Sequence, residues 1–298
     1  MPGIFYQPIS RKNFIKSSLG MAAALSVPTY SWGDPSEEVA HWALLSDTHV
    51  AGDKEDAYRN FKPYKNLQTI VPNVIAARAQ GVVINGDIAR LSGEPADYQC
   101  VKELLKPLAS NTPVHMTLGN HDDRNHFTQV FSDATALSHA TTLVEEKYVQ
   151  IIETPPVRMI LLDSLLYVNK AVGLLGKKQR SWLEMLLDSA EKKATVLFVH
   201  HTLGDGDIDL QDVDRLFGII RPHPSVKAIF YGHSHQYKYD QREGIHLINL
   251  PAVGYNFTDD QPLGWVEAKM TKEGGNFTLH AFGGDQTDDG ATVHLDWR

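Results

Sequence analysis

Cysteine is all but missing: Cys100 is the one cysteine in 298 residues. No intramolecular disulfide can form, and a thiolate-bound metal cluster is excluded. Cys100 falls in a helical pattern and reads as a small buried apolar residue. Positive charge is also short, with 28 Lys and Arg against 36 Asp and Glu and a net charge of −8. That balance argues against binding a nucleic-acid polymer, whose readers carry a basic face, although bound cations would reverse the field locally in a cleft. Long apolar runs are absent too: the stretch Ser17 to Val27 is too short to span a bilayer comfortably. There is no G-x-S-x-G elbow for a serine hydrolase, no phosphate-binding P-loop and no internal repeat.

What the chain does have is histidine, fourteen in all, and 42% hydrophobic residues, enough for one large core or two small ones. Any metal site must therefore be built from imidazole and oxygen donors. Residues 1 to about 37 stand apart from the rest. Ser10-Arg11-Lys12-Asn13-Phe14-Ile15-Lys16 precedes the apolar run, and a basic segment followed by a short apolar one is the pattern of an export signal. It is similar to a twin-arginine signal with Lys12 in place of the second arginine. The expected organisation is an export-signal-like segment over 1–37, then one domain over 38–298. The expected location is the periplasm, with the cytoplasm as the alternative.

From His41 the chain alternates apolar strands and amphipathic helices. His41 to Ser46, Val82 to Asn85, Pro113 to Leu118, Thr195 to Val199 and Val226 to Tyr231 read as buried strands. Asn66 to Gln80, Ala96 to Leu108, Lys178 to Glu191 and Val213 to Ile220 read as helices. Tyr148 to Ile152 and Val157 to Leu162 read as a strand pair, and from Ile245 onward the pattern is strand-rich. Asp123 to Ala140 has no clear period and reads as a substrate-covering loop or short helices. This is an α/β layered pattern with right-handed crossovers.

Each buried strand ends in the same kind of residue. Asp47-Thr48-His49, Gly86-Asp87, Gly119-Asn120-His121-Asp122, His200-His201 and Gly232-His233-Ser234-His235 all fall where a strand gives way to a loop. Strand C-terminal edges are where open α/β sheets hold ligands. Taken singly, Asp-x-His or Gly-Asp is an ordinary surface turn. Five such endings in one chain are not ordinary. Mixed carboxylate, amide and imidazole donors suit Mn²⁺, Fe or Zn²⁺. Asp47, His49, Asp87, Asn120, His200, His233 and His235 are more donors than one tetrahedral ion needs, and they suit two ions that activate a water and clamp a phosphate. Strand alternation sends the side chains of His200 and His201 to opposite sides, which leaves open which of the two binds metal.

The ordered set D-x-H, GD, GNHD, H and GHxH resembles the calcineurin-like metallophosphoesterase family, with all five blocks present from Asp47 to His235. The resemblance implies a four-layer α/β/β/α sandwich with a dinuclear metal site at the strand C-terminal ends. It implies one ion on Asp47, His49 and His235, a second on Asn120, His200 and His233, and Asp87 between them, the ions being Mn, Fe or Zn. His121 would touch the phosphate or protonate the leaving oxygen, and Asp122 would hold its ring in the useful tautomer. A metal-bridging hydroxide would attack phosphorus. Gly93-Glu94-Pro95-Ala96-Asp97-Tyr98, Gly119 to Arg124, Asp163-Ser164 and the segment around Trp182 look like the branch containing class III cyclic nucleotide phosphodiesterases and bacterial glycerophosphodiesterases. His201-Thr202 departs from that branch, where prolines commonly follow the histidine pair. The implied substrate is a small phosphodiester such as a cyclic nucleotide or glycerophosphodiester. A phosphomonoesterase and a non-catalytic metal-binding scaffold are the alternatives, and a homo-oligomer is compatible with either. Arg124, His126 and His201 are the expected contacts to the rest of the substrate.

Overall fold

A strand that is apolar on both faces needs a packed layer on each side, and the centre of this fold provides it. The computed structural model describes residues 38–131 and 141–298. In chain order the first half runs β1 (Ala40–Leu45), α1 (Pro63–Ala77), β2 (Gly81–Asn85), α2 (Pro95–Ala109), β3 (Val114–Thr117) and α3 (Arg124–Phe131). Then come β4 (Thr141–Val144), β5 (Lys147–Glu153), β6 (Val157–Leu161), α4 (Gly176–Ser189), β7 (Ala194–Phe198), α5 (Val213–Ile220) and β8 (Val226–Tyr231). The chain closes with β9 (Lys238–Arg242), β10 (Ile245–Asn249), β11 (Pro262–Met270), β12 (Gly274–Gly284) and β13 (Thr292–Asp296).

The strands form two sheets, ordered β13-β12-β11-β1-β2-β3 and β4-β5-β6-β7-β8-β10-β9. Within the first, β1, β2 and β3 are parallel and β11 runs antiparallel to β1. Within the second, β6, β7, β8 and β10 are parallel and β5 pairs antiparallel with β6. Strand pleat divides each central strand between two cores. Leu44 of β1 and Val83 of β2 meet Phe198 and Phe230 of the second sheet, whose rings stack 4.8 Å apart. Ala43, Leu45 and Ile84 face the other way, onto Leu67, Leu105 and Phe127 of α1, α2 and α3. On the far side Leu197 and Ile229 pack against Leu183, Leu216 and Phe217 of α4 and α5. The result is the four-layer sandwich that the family resemblance implies. Truncating a ring such as Phe198 to alanine would cost about 3–5 kcal/mol through lost burial and the cavity left behind.

Local signals set the helix ends. Pro95 opens α2, and Glu94 and Asp97 form a reciprocal capping box, satisfying two amides that the helix itself cannot. Asp97 also accepts from Gly52 N at 2.7 Å, tying the loop after β1 to α2. Arg78, with φ of 54°, stops α1 at Ala77, three residues short of the expected end. The stretch after Asp122 begins as a helix, α3, and its continuation over 132–140 lies outside the described residues, as does the export-like segment 1–37. Among the described residues no helix is long and apolar enough to cross a membrane.

Candidate metal centre

The C-terminal ends of β1, β2 and β3 in one sheet face those of β7 and β8 in the other. Asp47 and His49 leave β1, Asp87 leaves β2, Asn120 follows β3, His200 follows β7, and His233 and His235 follow β8. Backbone bonds lock these exits together: Asp47 N donates to Gly86 O at 3.1 Å, His49 N to Asp87 O at 2.9 Å, and Gly232 N to His200 O at 2.9 Å.

Donor atoms converge in three groups, Asp47, His49 and His235, then His49, Asp87 and His121, then Asp87, His200 and His233, the middle one sharing a residue with each of the others. His49 Nε2 lies 3.1 Å from His235 Nε2 and 3.6 Å from Asp87 Oδ2. His200 Nε2 lies 3.3 Å from Asp87 Oδ2, and His235 Nε2 lies 3.3 Å from Asp47 Oδ1. The outward nitrogens are anchored on backbone: His200 Nδ1 donates to Asn85 O at 2.8 Å and His235 Nδ1 to Tyr255 O at 2.5 Å. With Nδ1 carrying the proton, Nε2 presents its lone pair inward. His200 therefore joins the cluster, and His201 turns away, with Nδ1 2.7 Å from Ser164 Oγ.

The donors fit metal ions on their own chemistry. Asn120 Oδ1, His200 Nε2 and His233 Nε2 are buried and have no hydrogen-bond partner among the described residues. The unpartnered Asn120 Oδ1 and His233 Nε2 are costly unless a cation takes them, while His200 Nε2 faces Asp87 Oδ2 at 3.3 Å. Electrostatics says the same. Burial would raise the Asp47 carboxyl, but His235 and His200 outweigh it and hold it at about 2. Burial likewise opposes ionisation of Asp87, yet His200 and its neighbours hold it well below the usual range. Burial would lower His200, but Asp87 and Asp47 raise it to about 10, so without metal a proton on His200 supplies the positive charge. Burial depresses His49 to about 3 and His233 to about 4, keeping both neutral and able to bind a cation.

Backbone shape and side-chain size are both given over to this convergence. Asp47, His49, Asp87, His233 and His235 all have φ between 46° and 69°. That left-handed region costs a non-glycine residue about 1–3 kcal/mol, and such strain collects at functional sites. Gly119 and Gly232 are there for space. A Cβ on Gly119 would lie 2.7 Å from His200 Nε2, and one on Gly232 would lie 2.5 Å from Asp47 Oδ2.

A cavity of about 650 Å³ opens on the cluster, lined at that end by His49, Asp87, Asn120, His121, His233 and His235. The His121 amide donates to Asp87 Oδ1 at 2.8 Å. Its ring is held differently from the expectation. His121 Nδ1 pairs with Leu91 O at 2.9 Å, whereas the Asp122 carboxylate accepts from Gly119 N, Ala89 N, Ile88 N and the Tyr98 hydroxyl. Those donors lie beneath the loops, so Asp122 braces the strand exits instead of the imidazole. Burial, then the charge of Asp87, pushes its carboxyl up to about 6.

The three expected substrate contacts also need correction. Arg124 is spent on the buried Asp163, with Nε and Nη2 at 2.6 and 2.8 Å from its two oxygens. His126 Nδ1 pairs with Gly93 O at 2.8 Å. His201 is buried behind the cluster. None of the three lines the cavity. Its outer wall is instead Tyr255, Phe257, Leu203 and Ile208, with Ser234, Lys238 and Asn249 beyond the metal end. The Tyr255 ring packs at a tilt against both His49 and His235, with centroids 4.6 Å apart, so the Leu250 to Tyr255 stretch does return to the pocket. Val253 N and Gly254 N, donating to Ser46 O and Asp47 O, bring it there.

Comparison with known proteins agrees with this architecture. The family model for calcineurin-like phosphoesterases matches residues 41–237. A glycerophosphodiester phosphodiesterase of Enterobacter lignolyticus is 29% identical over 240 residues, 74% of this chain and 81% of that protein. A 3',5'-cyclic adenosine monophosphate phosphodiesterase of Pseudomonas aeruginosa is 27% identical over 221 residues, 72% of this chain and 76% of that protein. Among solved structures, a dimetal phosphatase from Danio rerio superposes with a TM-score of 0.66 at 17% identity, covering 88% of this chain and all of that one, which is a likeness of fold. The matched span runs from β1 to just beyond the last of the clustered histidines, and on it this chain belongs to the calcineurin-like phosphoesterase family, as a metal-dependent phosphoester hydrolase.

Proposed function

We propose that this enzyme hydrolyses small phosphodiesters with two metal ions, one on Asp47, His49 and His235 and one on Asn120, His200 and His233, Asp87 serving both. The observation that carries the reading is the convergence of Asp47, His49 and His235 and of Asp87, His200 and His233, with the buried, unpartnered His233 Nε2 and Asn120 Oδ1 on residues lining the same cavity. Bound there, the ions would supply Lewis-acid polarisation of phosphoryl oxygens and a nucleophile at neutral pH. Oxygen and imidazole donors without thiolate favour Mn, Fe or Zn.

His121 handles the leaving group. Its Nδ1 hydrogen goes to Leu91 O, which leaves Nε2 as the nitrogen that exchanges a proton with the departing alkoxide. The amide bond to Asp87 keeps the residue beside the shared carboxylate. A diester fits the lining better than a monoester. Among the described residues that line the cavity, Lys238 is the one Lys or Arg, and it is paired with Asp240 at 3.1 Å. A diester brings one negative charge to that wall, and a monoester near neutral pH brings closer to two. The names of the relatives, which act on glycerophosphodiesters and cyclic AMP, support the same choice. The order of basic and apolar segments before residue 28 supports export to the periplasm.

The test is hydrolysis of bis(p-nitrophenyl) phosphate beside p-nitrophenyl phosphate, with protein stripped of metal and then reloaded with Mn²⁺. Loss of activity on stripping, recovery on reloading and faster diester cleavage are expected. Undiminished turnover after stripping would overturn the metal assignment, and preference for the monoester would overturn the diester assignment.

A further inference from the structure

Ser234 stands between His233 and His235, and its hydroxyl oxygen accepts from Asn249 Nδ2 at 2.5 Å. Asn249 is the last residue of β10, paired in register with Tyr231 at the end of β8. It is only 2% exposed, and both it and Ser234 line the cavity that opens on the metal cluster. Asn249 Oδ1 has no hydrogen-bond partner among the described residues. Thr202 Oγ1, two residues past His200, lines the same cavity and is likewise buried without a partner. Neither residue is among the metal donors proposed above.

We infer that Asn249 and Ser234, with Thr202 on the wall of the same cavity, form a specificity subsite for a hydroxyl on the alcohol portion of the substrate. This rests on the phosphodiesterase reading above. The donor and acceptor count selects the group. Asn249 Oδ1 can only accept, and the Ser234 oxygen, already accepting from Asn249, has its own hydrogen to give. The pair therefore presents one acceptor and one donor side by side. A hydroxyl satisfies both. An ammonium would leave the serine hydrogen unmatched, and an ether or carbonyl would leave the amide oxygen unmatched. A site built to bond a hydroxyl rejects an analogue that lacks it, because its buried groups then go unpaired. Ser234 is flanked on both sides by residues of the metal cluster, so the hydroxyl it reads is one close to the phosphate, as in a glycerol or ribose ester.

Two substrate pairs separate these sources. One is a methyl glycerophosphodiester against its propyl analogue without hydroxyls, and the other is 3',5'-cyclic AMP against the 2'-deoxy compound. At least one pair should show kcat/KM roughly tenfold higher for the hydroxylated member. That ratio should collapse towards unity in Asn249→Leu and in Ser234→Ala, and Ser234→Ala decides the matter if Asn249→Leu does not fold. A wild-type enzyme without hydroxyl preference in either pair, or variants that keep it, would overturn the subsite. Bis(p-nitrophenyl) phosphate, which carries no hydroxyl, is run alongside. Its turnover without any hydroxyl preference sinks the subsite alone, and failure to cleave any diester sinks the subsite and the phosphodiesterase reading together.

Discussion

Leu91 holds His121 in place: the leucine carbonyl lies 2.9 Å from the histidine Nδ1. A backbone partner cannot be removed by mutation, so the imidazole is aimed by the loop that follows β2. Asp122 shapes that loop from below, through the amides of Ile88 and Ala89.

His121 and Asp122 should therefore fail in different ways. His121→Ala is expected to keep its metal content while kcat falls by about 10²–10⁴, most for diesters with poor leaving groups. Asp122→Ala orphans four donors and should lower the unfolding free energy by roughly 3 kcal/mol or more. Metal analysis, a leaving-group series and urea denaturation separate the two. Loss of bound metal in His121→Ala would contradict its assigned place.

Arg124 is a structural residue by the same kind of reasoning. It neutralises Asp163, which is buried and also receives Tyr148 N at 2.8 Å. Arg124→Ala should cost about 2 kcal/mol of stability, less than a fully buried pair because the guanidinium is partly exposed and Lys147 remains nearby. KM for the diester should stay within about twofold. A large rise in KM with stability intact would restore Arg124 as a substrate contact.

Glu267 provides the pH test. Its carboxylate meets Lys269 and His41 at 2.8 Å and His280 at 3.0 Å. Burial opposes its ionisation, but the bonds from Lys269 and His280 bring it down from 4.5 to about 2. A carboxyl depressed in the fold stabilises above its unfolded pKa and loses that contribution as pH falls through the folded value. Glu267→Gln should thus be less stable than wild type by roughly 1 kcal/mol near neutral pH, where part of the pair is solvent-screened. The gap should close between about pH 4.5 and about pH 2. Denaturant midpoints across that range decide it, and a gap that does not change with pH would mean that the ion pairs contribute nothing.

The chain spells out the centre of this protein better than its rim. Central strands such as β7 and β8 are mostly apolar runs, broken only by Thr195 and Lys227, that lead into His200 and Gly232-His233, so type and place are visible, with β7 lying one residue earlier at each end than expected. The edge strand β9, Lys238-Tyr239-Asp240-Gln241-Arg242, is charged and mostly exposed, and carries no apolar alternation to reveal it. The metal donors are legible because each is attached to a strand end. Substrate contacts are not, because residue type does not say which way a side chain turns. Arg124 and His126 are the polar residues one would choose, yet Asp163, 39 positions on, claims the first and Gly93 O the second. Tyr255 and Asn249 reach the cavity only because the chain folds back over β1 and β10 pairs with β8.

The division of each central strand between two cores limits how this chain can change length. Removing one residue from β1 or β8 would turn every later side chain of that strand to the opposite face, exchanging the contents of two hydrophobic layers. The same half-turn would swing Asp47 or His233 out of the cluster. Insertions and deletions should therefore be tolerated only in connections away from the donor-bearing strand exits, where they leave the spacing from each apolar run to its polar terminus unchanged.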